Sequence, residues 1–420
     1  MDVRMAAVTN LEKARGVTVE ELDSTRGFRA KGTARMIAGS LVGAIAAYLF
    51  QVVGGRRLGT QAFAPIAVLW TVFFIAATVM LIPLEQFVTR EASRGRQVLR
   101  SDRRAMSLIV LLTATGLALF VYALRDRLFA GEAVFALQAF LLTLGFGFMQ
   151  IGKGILAGHR RFAQYGAMLV LEGLFRLSAA VAFLTVSPTA VSLGWAMVAA
   201  PLAVLFIQPW NHDRETVEGV EATSARGFLS TYVVGSAASQ LLLGGAPIGV
   251  AALGGSEALR SVVFATFTLY RAPLTLLYNL QGRVLSLLVR TNDGAAIRRL
   301  AIRIASIGVG VIALAGLVGL VLGPAVIELL YDAEFRPIAM VAALAAAGVI
   351  AASITQILSQ ALVAGGSTGE LAGSWVGGLI VGVAAMILWN GTPDVRVAVG
   401  FVSGEVVALT LATWRILRTR

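Results

Sequence analysis

The sequence predicts an all-α integral membrane protein of about 12 transmembrane helices, arranged as two six-helix lobes with both termini in the cytoplasm. Three observations carry this. First, 57% of the 420 residues are hydrophobic and only 14% are charged, against roughly 25% charged in soluble domains. Second, apolar runs of about 20 residues, the length that crosses a bilayer core, recur along almost the whole chain. Third, the 35 Lys and Arg residues gather in alternate loops rather than spreading evenly.

The polar stretch 1–33 precedes the first apolar run, is too long and mixed for the basic leader of a signal peptide, and is expected to be a solvated cytoplasmic tail, disordered or else partly lying on anionic lipid. Spans are then expected near 34–53, 64–86, 106–124, 133–156, 165–187 and 190–210. A second set follows near 228–252, 260–288, 301–322, 338–362, 371–389 and 396–416. The run PAVIELLY after Gly323 is too short to cross, carries Glu328, and is expected to lie at the interface. With both ends inside, the inner loops and tails hold 26 basic residues and the outer loops seven, leaving Arg176 and Arg271 within spans. That imbalance fixes the orientation. The net charge of +12 therefore reflects topology and not nucleic-acid binding.

Residues 147–154, GFMQIGKG, nearly match a phosphate-cradling loop, with Gly147, Gly152 and Lys153 in place but Gly154 where Ser or Thr would hold magnesium. They fall at the cytoplasmic end of the fourth span, in a helix and not after a buried strand. A nucleotide site is not expected. Lys153 is expected to snorkel to the inner headgroups with Arg160 and Arg161. Cysteine is absent, and the two histidines, His159 and His212, are far apart, so neither a disulfide framework nor a metal centre is expected. No cofactor is expected either.

The polar stretch 211–227 divides the chain into an N-terminal lobe, 34–210, and a C-terminal lobe, 228–420. Six spans per half give the halves the same orientation, related by an axis along the membrane normal. Gln150–Ile151 near the end of span 4 is echoed by Gln356–Ile357 near the end of span 10, and the basic loop 90–104 by Arg290, Arg298, Arg299 and Arg303.

Several stretches carry a family resemblance. GSLVGAIAAYLFQVVGGRRLGTQAFAPIAVLWTVFFI (39–75), with Arg57–Leu58–Gly59 and Ala62–Phe63–Ala64, resembles the first two spans of polysaccharide-precursor flippases. KGILAGHRRFAQYGAMLVLEGLFRLSAA (153–180) is similar to their span 4–5 junction, and LYRAPLTLLYNLQGRVLSLL (269–288) to their span 8, without the proline that many relatives carry near Gly282–Arg283–Val284. These proteins belong to the multidrug/oligosaccharidyl-lipid/polysaccharide exporter superfamily. The resemblance implies two lobes around a central cavity that opens alternately to each side. It also implies a substrate whose polar head crosses through the cavity while its lipid tail stays in the bilayer, in a bacterial cytoplasmic membrane.

A charge in the hydrocarbon core costs roughly 2.5–3.5 kcal/mol on insertion scales. Arg271, midway along span 8 beside Pro273, is the first candidate to bind substrate: its guanidinium fork matches phosphate oxygens. The alternative is an arginine satisfied by carbonyls or by a carboxylate on another helix. Glu172 and Arg176, four apart on span 5, are expected to pair, either as a packing lock or as a pair that an anionic head group opens. Glu405, mid-way along span 12, either exchanges a proton during a cycle or partners Arg271. Glu85 and Arg90 are read as an interfacial pair, with Lys153 and Arg90 at the cytoplasmic access. The amides Gln150, Gln240, Asn279, Gln281 and Gln356 suit either helix–helix hydrogen bonds or a sugar-lined cavity.

The reading that follows is a transporter, not an enzyme, for a polyprenyl-pyrophosphate-linked saccharide, with no nucleotide and no nucleic acid as partner. Membrane lipids and envelope-polysaccharide enzymes are the expected partners. A cation-coupled multidrug antiporter of the same superfamily is the alternative, although no Asp lies in the interior of a span. A membrane polymerase or ligase would need a large outer loop, and every outer loop is short. A facilitator-superfamily transporter would show Gly–x–x–x–Asp–Arg in the 2–3 loop, and TREASRGRQVLRSDRR lacks it.

Overall fold

The computed structural model describes residues 19–93, 98–212, 225–271, 274, 294–364 and 368–418. Among them there is no strand. The first helix, α1, is continuous from Val19 to Ala76 except at Gly59, whose φ of 70° and ψ of 176° break it. The apolar stretch Ala34–Ser93 would be about 90 Å long as one straight helix, three times a bilayer core. The turn at Gly59, a conformation glycine adopts without strain, makes two spans of it. The second arm ends in a π-helical turn, Ala77–Leu81, followed by α2, Ile82–Ser93. Pro83 explains the bulge: it has no N–H for the preceding turn, and its ring displaces the carbonyl four residues back.

The remaining helices are α3 (Val98–Ala123), α4 (Val134–Gly158), α5 (Phe162–Val186) and α6 (Ala190–Ala199, prolonged by Ala203–Ile207). Then come α7 (Ala225–Gly244, prolonged by Ala246–Ala252), α8 (Glu257–Tyr270) and α9 (Gly294–Leu330). Last are α10 (Ala339–Ala364), α11 (Thr368–Leu388) and α12 (Pro393–Arg418). Nine stretches among the described residues are long and apolar enough to cross a membrane, and the protein is a multi-pass membrane protein. Its lipid-facing surfaces are exposed leucine, isoleucine and valine, most densely on α9 (Ile307, Val309, Leu314, Val321).

The two sets of helices pack in the same pattern. The first arm of α1 lies along α5, α3 along α4, and α5 along α6. In the second set α7 lies along α11, α9 along α10, and α11 along α12. Small residues let the backbones approach: a Cβ on Gly43 would stand 2.8 Å from the carbonyl oxygen of Leu169, and one on Gly378 2.6 Å from that of Gly404. The halves meet chiefly through α1 against α8.

Two expectations are corrected. Residues 19–33, expected to be a disordered tail, prolong the first helix. Adding residues to a helix already nucleated costs far less than starting one, and no proline interrupts this stretch. The run 324–330 is not a separate interfacial segment but the continuous end of α9, with Pro324 inside the helix. Its Ile327 is fully buried, as is Tyr331 beyond it, and Glu328 pairs with Arg336 at 2.7 Å. Most of the stretch 211–227 lies outside the described residues.

Candidate functional site

A cavity of about 190 Å³ lies where the two halves meet. Span 1 contributes Ala44, Ala47, Tyr48 and Gln51, and span 2 contributes Trp70, Thr71 and Phe74. From the other half come Gly244 and Pro247 at the break in span 7, and Phe264, Phe267, Thr268 and Arg271 on α8. One hydrogen bond crosses it: the Tyr48 hydroxyl donates to the Thr268 carbonyl at 3.0 Å.

Arg271 is the one charged side chain among the described lining residues. It caps the C-terminus of α8, where its cation complements the helix dipole. Glu405, on α12 and not among the residues lining the cavity, is fully enclosed, and neither of its oxygens accepts a hydrogen bond. No hydrogen bond joins Glu405 to Arg271, the partner that the sequence offered beside a proton-exchanging role.

A second polar cluster lies inside the first half. Lys153 Nζ is 3.2 Å from Glu85 Oε2 and donates to Gln150 Oε1 at 2.7 Å. The Tyr165 hydroxyl donates to Glu85 Oε1 at 2.7 Å, and the Lys153 ammonium stands 5.4 Å from the centre of the Tyr165 ring. Arg176 pairs with Glu172 one turn before it, and its guanidinium lies 5.1 Å from the centre of the Trp70 ring. Trp70, also stacked with Phe50 at 5.7 Å, therefore joins this cluster to the cavity wall.

The expected snorkelling of Lys153 does not occur. It is 8% exposed, because Glu85 and Gln150 supply partners inside the helix bundle that compete with headgroups. Glu85, expected to pair with Arg90, is held by Lys153 and Tyr165 instead, and Arg90 is half-buried one turn further along α2. Of the candidate amides, Gln150 belongs to the Lys153 cluster, and Gln356 donates to the Ser239 hydroxyl at 3.4 Å inside the second half. Gln240 is buried there too. Asn279 and Gln281 lie outside the described residues. Sequence reasoning missed Tyr48, Gln51, Trp70 and Thr71.

At their outer ends the halves are fastened together. Arg56 donates to the carbonyls of Leu330 at 2.8 Å and Leu329 at 2.5 Å, the last two residues of α9. Ser261 donates to the Thr60 carbonyl at 2.6 Å, and the Thr60 amide and hydroxyl both reach Glu334 at 3.4 Å. Phe63 packs on Phe264 and Phe335. Tyr331 packs on Phe335, and burial pushes its phenol above the usual tyrosine range. Among the described residues no cluster suits a metal ion.

No protein-family model matches the chain. It is 28% identical over its full length, and over the full length of the relative, to uncharacterized protein Rv3630 of Mycobacterium tuberculosis (strain ATCC 25618 / H37Rv). It is equally similar to uncharacterized protein Mb3654 of Mycobacterium bovis. Among solved structures it resembles an inward-facing multidrug resistance MATE family transporter of the MOP superfamily, with a TM-score of 0.68 over 92% of this chain and 97% of that one, at 15% identity. The outward-facing conformation of such a transporter gives 0.63 over 93% and 95%, at 16% identity. A MOP superfamily transporter from Pyrococcus furiosus, described by the reverse polarity of its binding pocket, gives 0.62 over 93% and 95%, at 15% identity. The chain thus has the fold of the MATE transporters.

Proposed function

We propose that this protein is a transporter, not an enzyme, that flips a polyprenyl-pyrophosphate-linked saccharide across a bacterial cytoplasmic membrane by alternating access. The observation that carries the reading is Arg271 on the wall of the cavity between the halves, where no carboxylate stands among the described lining residues. A pyrophosphate needs a cation with several donors, and the guanidinium fork supplies them in a low-dielectric setting. The fastened outer ends support loading from the cytoplasmic leaflet. The lobes would be 34–210 and 228–420, joined by 211–227. Envelope-saccharide enzymes would supply and consume the lipid.

The fold likeness to multidrug transporters, with a carboxylate, Glu405, fully buried on α12, favours a second reading: a cation-coupled antiporter. The two separate in proteoliposomes carrying a fluorescent polyprenyl-pyrophosphate sugar lipid in both leaflets. Protein-dependent exposure of the inner pool to a quencher, lost in Arg271→Ala and Arg271→Lys with folded yield intact, is expected. Normal flipping by Arg271→Ala removes the anion site. No flipping, with uptake of a drug cation under a proton gradient, makes the chain an antiporter.

A further inference from the structure

We infer that Gln51, with Thr71 and the Tyr48 hydroxyl, forms a hydroxyl-reading subsite for the first sugar ring, placed on the outer side of the phosphate position at Arg271; this rests on the flippase reading above. Gln51 is 2% exposed, lines the cavity, and its carboxamide oxygen accepts no hydrogen bond. A buried amide oxygen without a partner costs stability, so its presence on a cavity wall points to a ligand that satisfies it.

The neighbouring polar groups have already spent their protons. Tyr48 donates to the Thr268 carbonyl at 3.0 Å and Thr71 to the Ala67 carbonyl at 2.8 Å. Each hydroxyl oxygen keeps only acceptor capacity. Two hydroxyl acceptors and a carboxamide with one unpaired acceptor and its own N–H donors line one small cavity, and a ligand of hydroxyls, which both donate and accept, meets them. A cation would also donate, but Arg271 on the opposite wall repels it. A neutral polyol joined to an anionic group meets both walls.

The order along the membrane normal follows from helix direction. Tyr48 and Gln51 are three residues apart on an arm of α1 that runs outward. Thr268 and Arg271 are three apart on α8, which runs inward. The Gln51 Cα therefore lies about 4.5 Å further out than that of Tyr48, and the Arg271 Cα about 4.5 Å nearer the cytoplasm than that of Thr268, whose carbonyl Tyr48 holds. A pyrophosphate at Arg271 would direct its sugar towards Gln51, the direction in which the head group has to move. A cavity of about 190 Å³ suits one ring and not a chain.

The test is direct binding to the purified protein of two probes, geranylgeranyl pyrophosphate and the same lipid carrying one N-acetylglucosamine on its terminal phosphate. Wild type should bind the sugar-bearing probe more tightly. In Gln51→Leu the ratio of the two affinities should fall by roughly three- to tenfold, the loss of one or two neutral hydrogen bonds. Thr71→Val, nearly isosteric, should lower the ratio less and stands in if Gln51→Leu does not fold. Arg271→Ala should weaken both probes and leave the ratio. A ratio unmoved by both Gln51→Leu and Thr71→Val, or a wild type that binds bare pyrophosphate as well as the sugar lipid, overturns the subsite while the anion site stands. A wild type that binds neither probe overturns the flippase reading itself.

Discussion

The ammonium of Lys153 lies 3.2 Å from the Glu85 carboxylate inside the first half, and the residues are 8% exposed and half-buried respectively. Removing one member of such a pair strands a charge among helices, at a cost of about 3–5 kcal/mol. Lys153→Met or Glu85→Gln alone should lower the melting temperature in detergent markedly. The double variant should recover much of the loss, because no unpaired charge remains. Additive losses in the double variant would show that the two charges do not depend on each other.

Between α11 and α12, glycines meet backbone to backbone. A Cβ on Gly400 would stand 2.6 Å from the Gly382 carbonyl oxygen, whereas one on Gly310, on α9, meets nothing within 4 Å. Gly400→Val should destabilise by about 1–3 kcal/mol through overpacking. Gly310→Ala should be neutral or stabilising by up to about 1 kcal/mol, since alanine is the better helix former. Thermal unfolding of both variants checks the contrast, and equal effects would refute the close contact of α11 and α12.

These contacts bear on what the sequence made legible. The spans could be read because an apolar run of about 20 residues matches the thickness of a bilayer core and outruns most buried helices of soluble proteins. Arg271 and Glu405 could be read because a mid-span charge needs a reason. The partner of Lys153 could not be read. Glu85 and Tyr165 are 80 residues apart, and only the packing of α2, α4 and the start of α5 brings them to one place. Gln51 was overlooked for a related reason. In a run as apolar as 39–53 one amide carries no charge signal, and its meaning depends on the α8 wall it faces across the cavity.

Glu405 is fully buried, and neither of its oxygens accepts a hydrogen bond. A group kept at a cost to stability is a sign of function. Glu405→Met should raise the melting temperature, by the equivalent of about 1–3 kcal/mol for removing unsatisfied polar atoms, while lowering transport in proteoliposomes. A lower melting temperature would mean that the carboxylate is held by bonds in the folded protein and that its role is structural.

The outer fastening has its own physical logic, and it predicts how the protein opens. Arg56 donates to the last two carbonyls of α9, orphan acceptors that a helix end leaves exposed, and a cation there also complements the dipole. Glu334 receives the Thr60 amide and hydroxyl across the same seam. Hydrogen bonds to charged groups contribute about 1.5–3 kcal/mol each when well enclosed and less where water competes, as at exposed Arg56. Arg56→Ala with Glu334→Gln should therefore shift the population towards an outward-open form by several-fold. The chain contains no cysteine, so Ala47→Cys on the cavity wall provides a single label site. With the seam intact, a membrane-impermeant maleimide added outside should label it slowly. In the double seam variant labelling should accelerate several-fold, while labelling from the cytoplasmic side slows. Equal outside labelling with and without the seam contacts would mean that the aromatic packing of Phe63 on Phe264 and Phe335 holds the outer ends closed by itself.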